Sequence, residues 1–331
     1  MAPNRTVAPK KTTSVQSTVL RSTGVTIPAG YPRAVSDRPV LAGLLGALVI
    51  AFSAILVRLA EVSPTTAAFF RCAYALPVLA VLAWHERRRH GPQRRRDRLL
   101  AFIAGASFAA DLIFWTYSIQ AVGAGLATVL ANVQVVLVAV LAWAVLGERP
   151  ASRTLLAIPI ALTGVVLISG VVGSGAYGDD PLMGVVYGLL TAITYAFFLL
   201  ILRQAGSSER PPAGPLFDAT LSAAVCSAIA GVAIGNIDWV PDAEAQTWLV
   251  VLALSSQVLG WMLISVSLPR LPAVLTSIVL MLQPIGTVVL GALLLDEAPS
   301  AVQLGGVAIV VGAVGLATTG ARPRAPMPQS A

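Results

Sequence analysis

The sequence predicts an all-α polytopic membrane protein: ten transmembrane helices laid out as two inverted five-helix repeats. Three observations lead there. Of 331 residues, 56% are apolar and only 11% charged, with a mean hydropathy of +0.82, which lies far outside the range of a soluble domain. Ten apolar runs follow one another along the chain. And one of them, VGAGLATVLANVQVVLVAVLAWAVLGERP at 122–150, is written again as LPAVLTSIVLMLQPIGTVVLGALLLDEAP at 271–299, so that Gln134 falls on Gln283, Glu148 on Glu297 and Pro150 on Pro299.

In chain order, residues 1–37 are rich in Thr, Ser, Pro and basic residues and lack the apolar core of a cleavable signal peptide. They are expected to form a disordered cytoplasmic tail. The apolar runs then recur at roughly 40–58, 65–84, 99–118, 122–146, 154–172, 182–202, 216–235, 247–268, 272–295 and 301–319, most of them long enough at ~1.5 Å per residue to cross a ~30 Å hydrocarbon core. Glycine, proline and charge mark the breaks, from Ser63-Pro64 through the Arg-rich 85–98 loop, Gly123 to Gly125, and 203–215 to Asp296-Ser300. The expected units are 38–172 as a first repeat of five helices, 173–181 as an extracytoplasmic linker, 182–319 as a second repeat of five, and 320–331 as a cytoplasmic C-terminal tail.

Charge gives an independent check. With the N-terminus inside, 20 of the 22 Lys and Arg residues fall on the cytoplasmic side, as the positive-inside rule requires. Arg58 and Arg71 are the two exceptions. Both termini are then cytoplasmic, the location is the cell membrane, and the odd number of spans per half inverts the second half. The net charge of +7 does not point to nucleic acid, because its densest run is wedged between two apolar spans and reads as a solvated loop that fixes topology. Cys72 and Cys226 are isolated, and His85 and His90 both sit in that loop, so neither a disulfide framework nor a metal site is expected. No GxxxxGK[ST] phosphate loop is present. No cofactor is expected, and enzymatic activity is not.

The stretches GERPASRTLLAIPIALTGVVLIS at 147–169 and DEAPSAVQLGGVAIVVGAVGLA at 296–317, with RCAYALPVL at 71–79, resemble the EamA family of the drug/metabolite transporter superfamily. The resemblance covers about 40–319. It departs at Val135, where the second half has Pro284. It implies a fold in which helices 1–4 and 6–9 surround a central cavity while 5 and 10 stand outside, and it implies an alternating-access secondary transporter, an exporter of a small organic solute such as an amino acid or other metabolite. Inverted repeats place such a site near the midplane. A non-transporting membrane assembly or receptor protein is the alternative, and an integral membrane enzyme a more distant one.

Charges at mid-membrane depth need a partner or a task. Arg71 lies ~10 Å from the outer boundary and Asp111 ~18 Å from the inner one, so the two are expected at ion-pair or one-water distance. They could form a structural pair between helices 2 and 3, or Arg71 could attract an anion and Asp111 carry a coupling proton or another ion. Ser53, Asn132, Gln134, Tyr195, Gln257 and Gln283 converge at the same depth and are expected to line a shared polar cavity. Asn132 and Gln134, ~200° apart around a helix, cannot both face it. Asp111 with Trp115, and Gln257 with Trp261, stand four apart and share a helix face; Tyr74 is expected on the same wall as Arg71. Glu148 and Glu297 read as capping and topology features at water-facing helix ends. Asp218 reads as structural in a first helical turn. The helix-10 series Gly305, Gly306, Gly312 and Gly315 could serve internal packing or a homodimer contact. The expected partners are a small-molecule substrate and the lipid bilayer.

Overall fold

A computed structural model describes residues 39–134, 136–137, 152–168, 172, 177–205, 212–267 and 282–319. The two tails, Glu148, most of the second part of span 4 and the first part of span 9 lie outside the described residues. The chain folds as α1 (Pro39–Ala60), α2 (Pro64–Ala73), α3 (Leu76–His90), α4 (Arg95–Ala131), α5 (Ser152–Ile168), α6 (Pro181–Ala205), α7 (Ala213–Ile234), α8 (Ala243–Leu252), a π-helical segment (Ala253–Gly260), α9 (Trp261–Ser267), α10 (Leu282–Leu294) and α11 (Ala301–Thr319). There is no strand among the described residues. Six helical stretches are long and apolar enough to cross a membrane, and three shorter apolar helices accompany them. Large side chains such as Leu44, Leu162, Val232 and Leu293 stay exposed on their outer faces, where lipid is the only suitable solvent.

Local chemistry explains the boundaries. Ser63 caps α2, accepting from the Thr66 amide, with Pro64 in the first turn. Pro77 cannot donate to the turn before it, and the span expected at 65–84 bends at Tyr74-Ala75. Asp242 caps α8 in the same way. Spans 3 and 4 run together as α4, interrupted only at Gly123, whose φ of 85° and ψ of 166° suit glycine. The span expected at 247–268 is not uniform α-helix, because its middle winds as a π-helix.

Helices of the two halves interleave: α4 packs against α6 and α7, α2 and α3 against α7, and α1 against α8, α9 and α10, while α5 and α11 pair with each other. Small residues make this possible in lipid, where apolar burial alone does not drive association. A Cβ on Gly164 would lie 2.8 Å from the Gly306 carbonyl oxygen, and one on Gly306 would lie 2.7 Å from that of Gly164, so the α5 and α11 backbones touch. Gly306 therefore serves internal packing, whereas Gly305 and Gly312 face open space. Gly184 and Gly188 of α6 receive Val122 and Leu130, whereas Gly235 is a left-handed C-cap with φ 77°.

Glu297 departs from its expected place. It is 5% exposed and does not face water. Its carboxylate accepts from the Ala124 amide through Oε1 and from the Gly125 amide at 3.0 Å through Oε2, capping the helical arm that restarts after Gly123. The chain reverses at Asp296, with φ 52°, and the Glu297 amide returns to the Gly291 carbonyl. Room for the carboxylate exists because Gly123 and Gly291 carry no Cβ, which would otherwise lie 2.7 and 2.4 Å from its oxygens. Asp218, the sixth residue of α7, is paired with Arg98 at 3.2 Å, so a partner rather than a first-turn dipole holds it.

Replacing Glu297 by Ala strips two buried amides of their acceptor, at ~1–3 kcal/mol. The variant is expected to melt at a clearly lower temperature than the parent when unfolding is followed in detergent by tryptophan fluorescence, with Glu297→Gln falling between them.

Candidate functional site

Where the halves interleave, a central cavity of about 70 Å³ is lined by Ile50 and Ser53 from α1, Arg71 from α2, Phe108 to Asn132 positions of α4, Thr191 and Tyr195 from α6, Trp261 from α9 and Gln283 from α10. Both halves therefore contribute side chains. Arg71 and Asp111 are buried and give it two formal charges.

Arg71 is held from behind. Its Nε donates to Gln257 Oε1 at 3.1 Å, and Gln257 Nε2 donates to Thr220 Oγ1 at 3.1 Å. The relay runs from α7 through the π segment to α2, which crosses from one half to the other. The guanidinium carbon lies 5.7 Å from the Trp115 ring centroid and 6.0 Å from that of Phe108, within reach of cation–π attraction. Phe108 itself stacks on Phe198 at 4.4 Å, and Trp261 meets Phe108, Tyr195 and Phe198 edge to face. Two rings thus flank the charge, and one of them is held in turn by further aromatic packing.

Arg71 and Asp111, expected at ion-pair or one-water distance, make no direct ion pair. The Arg98–Asp218 pair is the one ion pair among the described residues. Both groups line the same cavity, but the Arg71 Nε turns sideways to Gln257 and its plane is flanked by rings. Asp111 fronts the cavity without a hydrogen bond from the described residues, within electrostatic reach of Arg71.

The other sequence candidates divide. Trp115, Asn132, Tyr195, Trp261 and Gln283 line the cavity. Asn132 faces it while donating to the Thr128 carbonyl at 2.8 Å; Gln134 turns away and is buried, its Oε1 without a partner among the described residues. Trp261 lines the cavity and Gln257, in the π-helical segment, does not. Gln257 stands behind Arg71, in a second layer. Tyr74 does not reach the cavity either: its ring packs on Phe70 at 5.1 Å and its hydroxyl donates to Gln246 Oε1 at 3.4 Å. Lining residues that sequence reasoning did not single out include Phe108, Thr128 and Thr191. Each stands three or four residues before a named candidate, so extending the helical faces of Asp111, Asn132 and Tyr195 by one turn would have found them. Thr220 carried no such signal.

A larger pocket of about 420 Å³ lies at the end of the bundle near Gly123, lined by Arg58, Gln120, Tyr177 and Asp179 among others. Burial, followed by the nearby Glu297 carboxylate, raises the Tyr177 phenol above its ordinary pKa. Arg58 is exposed, and the pocket draws on neither α7 nor the aromatic cluster, so the central cavity, with its buried charges, is the stronger candidate.

The sequence model of the EamA-like transporter family matches the chain twice, over residues 38–170 and 182–319. The chain belongs to that family. It is accordingly a multi-pass membrane protein of a transporter family, and small-molecule solutes and lipid are the partners that membership implies. No protein of curated function matches the sequence. A crystal structure of another protein superposes with a TM-score of 0.57 at 17% identity, covering 86% of this chain and 97% of its own, which shows a shared fold.

Two outcomes follow from the site geometry. Gln257→Leu leaves the Arg71 Nε buried without an acceptor and is expected to cost ~1–3 kcal/mol of stability, with Thr220→Val milder, as read from thermal unfolding in detergent. In a background lacking Cys72 and Cys226, a cysteine at position 132 is expected to react with a small hydrophilic thiol reagent and one at position 134 to resist it.

Proposed function

We propose that this EamA-family chain is a secondary active transporter that carries a small organic solute across the cell membrane by alternating access, with export as its direction. In this reading the fold is ten helices in two inverted five-helix repeats, 38–172 and 182–319, with both termini cytoplasmic, and the chain is not an enzyme. The observation that carries the reading is the central cavity, to which helices of both halves contribute polar and charged side chains. A pocket shared between two halves opens to either side when one half rocks against the other.

The roles follow from the chemistry of the lining. Arg71, fixed by Gln257, offers its outer guanidinium nitrogens to an anionic group on the solute. Trp115, Tyr195 and Trp261 supply flat apolar walls against which a ring or an alkyl chain packs. Asp111 is the coupling residue, taking up a proton or other cation on one side and releasing it on the other, because it is buried, cavity-facing and free of the Arg71 ion pair. Asn132, Gln283 and Ser53 complete the polar lining.

The test is uptake and efflux with the purified protein in sealed vesicles, using a mixed panel of amino acids and other metabolites. Transport of one or more solutes is expected, with strong pH dependence. Asp111→Asn is expected to retain solute binding and lose that dependence. A mutant whose pH profile matched the parent's would remove Asp111 from coupling, and failure of the parent to move any solute would remove the transporter reading.

A further inference from the structure

Between α3 and α4 the chain reads HERRRHGPQRRRDR at 85–98. The arginines do not sit on a slack loop, because α3 continues to His90 and α4 restarts at Arg95. Gly91, with φ 77°, makes the turn between them. Arg87, Arg88, Arg89, Arg94, Arg95 and Arg96 are all exposed, and among the described residues none has an acidic partner within salt-bridge distance. Nearby carboxylates are occupied elsewhere: Asp218 is taken by Arg98 and Glu86 accepts from the Gly214 amide. The helix dipole accounts for the arginines ending α3 but disfavours Arg95 and Arg96 in the first turn of α4, where only Asp97 offsets them. That cluster therefore lacks a stabilising anion within the described chain.

Its depth says where such an anion comes from. Val81 and Leu99 are 64% and 61% exposed, apolar and therefore in lipid. Arg88 is seven residues beyond Val81 and Arg95 four before Leu99, or ~10 and ~6 Å along their helices, which places the guanidiniums in the headgroup layer. Trp84 is exposed at that boundary, as interfacial tryptophans are. Arg88 sits over its ring with the guanidinium carbon 3.8 Å from the centroid, and the residue stays exposed.

We propose that the α3–α4 hairpin is a binding surface for anionic phospholipid headgroups, recognised by the paired guanidinium donors and anchored by Trp84. Guanidinium matches the phosphodiester bidentately, and a cluster of several basic residues just beyond a transmembrane helix selects lipids with net negative charge over zwitterionic ones. The surface is separate from the central cavity, so lipid binding here is independent of the solute the cavity carries.

The test uses the full chain, purified in mild detergent and exposed to equal amounts of phosphatidylglycerol and phosphatidylcholine, with retained lipids counted by native mass spectrometry. The parent is expected to keep the anionic lipid in preference on the order of ten-fold, and the preference is expected to fall as salt rises. Joint replacement of Arg87, Arg88 and Arg89 by Gln should erase most of it, and Trp84→Ala should weaken it. Replacement of the three by Lys, which preserves charge but not the fork, should retain part. Equal retention of the two lipids by the parent, or full selectivity in the Gln variant, would overturn the proposal. The parent's salt dependence decides the matter even if the variant fails to fold.

Discussion

A permanent positive charge buried in an apolar helical bundle is the constraint around which the centre of this protein is arranged. Guanidinium does not escape the cost of desolvation by changing its protonation state, as a carboxylate does by gaining a proton or an amine by losing one. It must be met by acceptors and by polarisable rings. Arg71 receives both, from Gln257 on one side and from Trp115 and Phe108 on the others. Because Gln257 belongs to the second half and is itself oriented by Thr220, holding the charge also ties the halves together. Asp111 lines the same cavity and lies within electrostatic reach of that charge without a direct ion pair to it.

A second buried charge organises the far end. Glu297 reaches from the end of α10 to the helical arm that begins at Ala124, and three glycines make way for it. The carboxylate and the amides it caps come from opposite halves, so this contact, like the Arg71 relay, joins the halves through a polar interaction in a setting where apolar contact discriminates poorly between neighbours.

Much of the fold was legible in the sequence because its signals are local. Gly123 was marked as a break, and there α4 leaves helical geometry; Ser63-Pro64 was marked, and there α2 begins with its cap. The two family matches fall on the two halves that the internal repeat had suggested. Within the site, Arg71, Asp111, Trp115, Asn132, Tyr195, Trp261 and Gln283 are brought to one cavity, as their similar depth suggested. Depth is read by counting residues along an axis. Azimuth is not, and there the reading failed. Tyr74 turns to Gln246, and Gln257 stands behind Arg71 rather than on the cavity wall.

Sequence by itself determined the membrane-spanning class, the duplication and breaks such as Ser63-Pro64 and Gly123, since these depend on composition and on local residue types along the chain. Only the tertiary structure decided which polar residues share a cavity, that Arg71 bonds Gln257 in place of Asp111, and that Glu297 is buried under glycines. Those outcomes turn on helix rotation and on partners 172 to 186 residues away, and no local pattern specifies either.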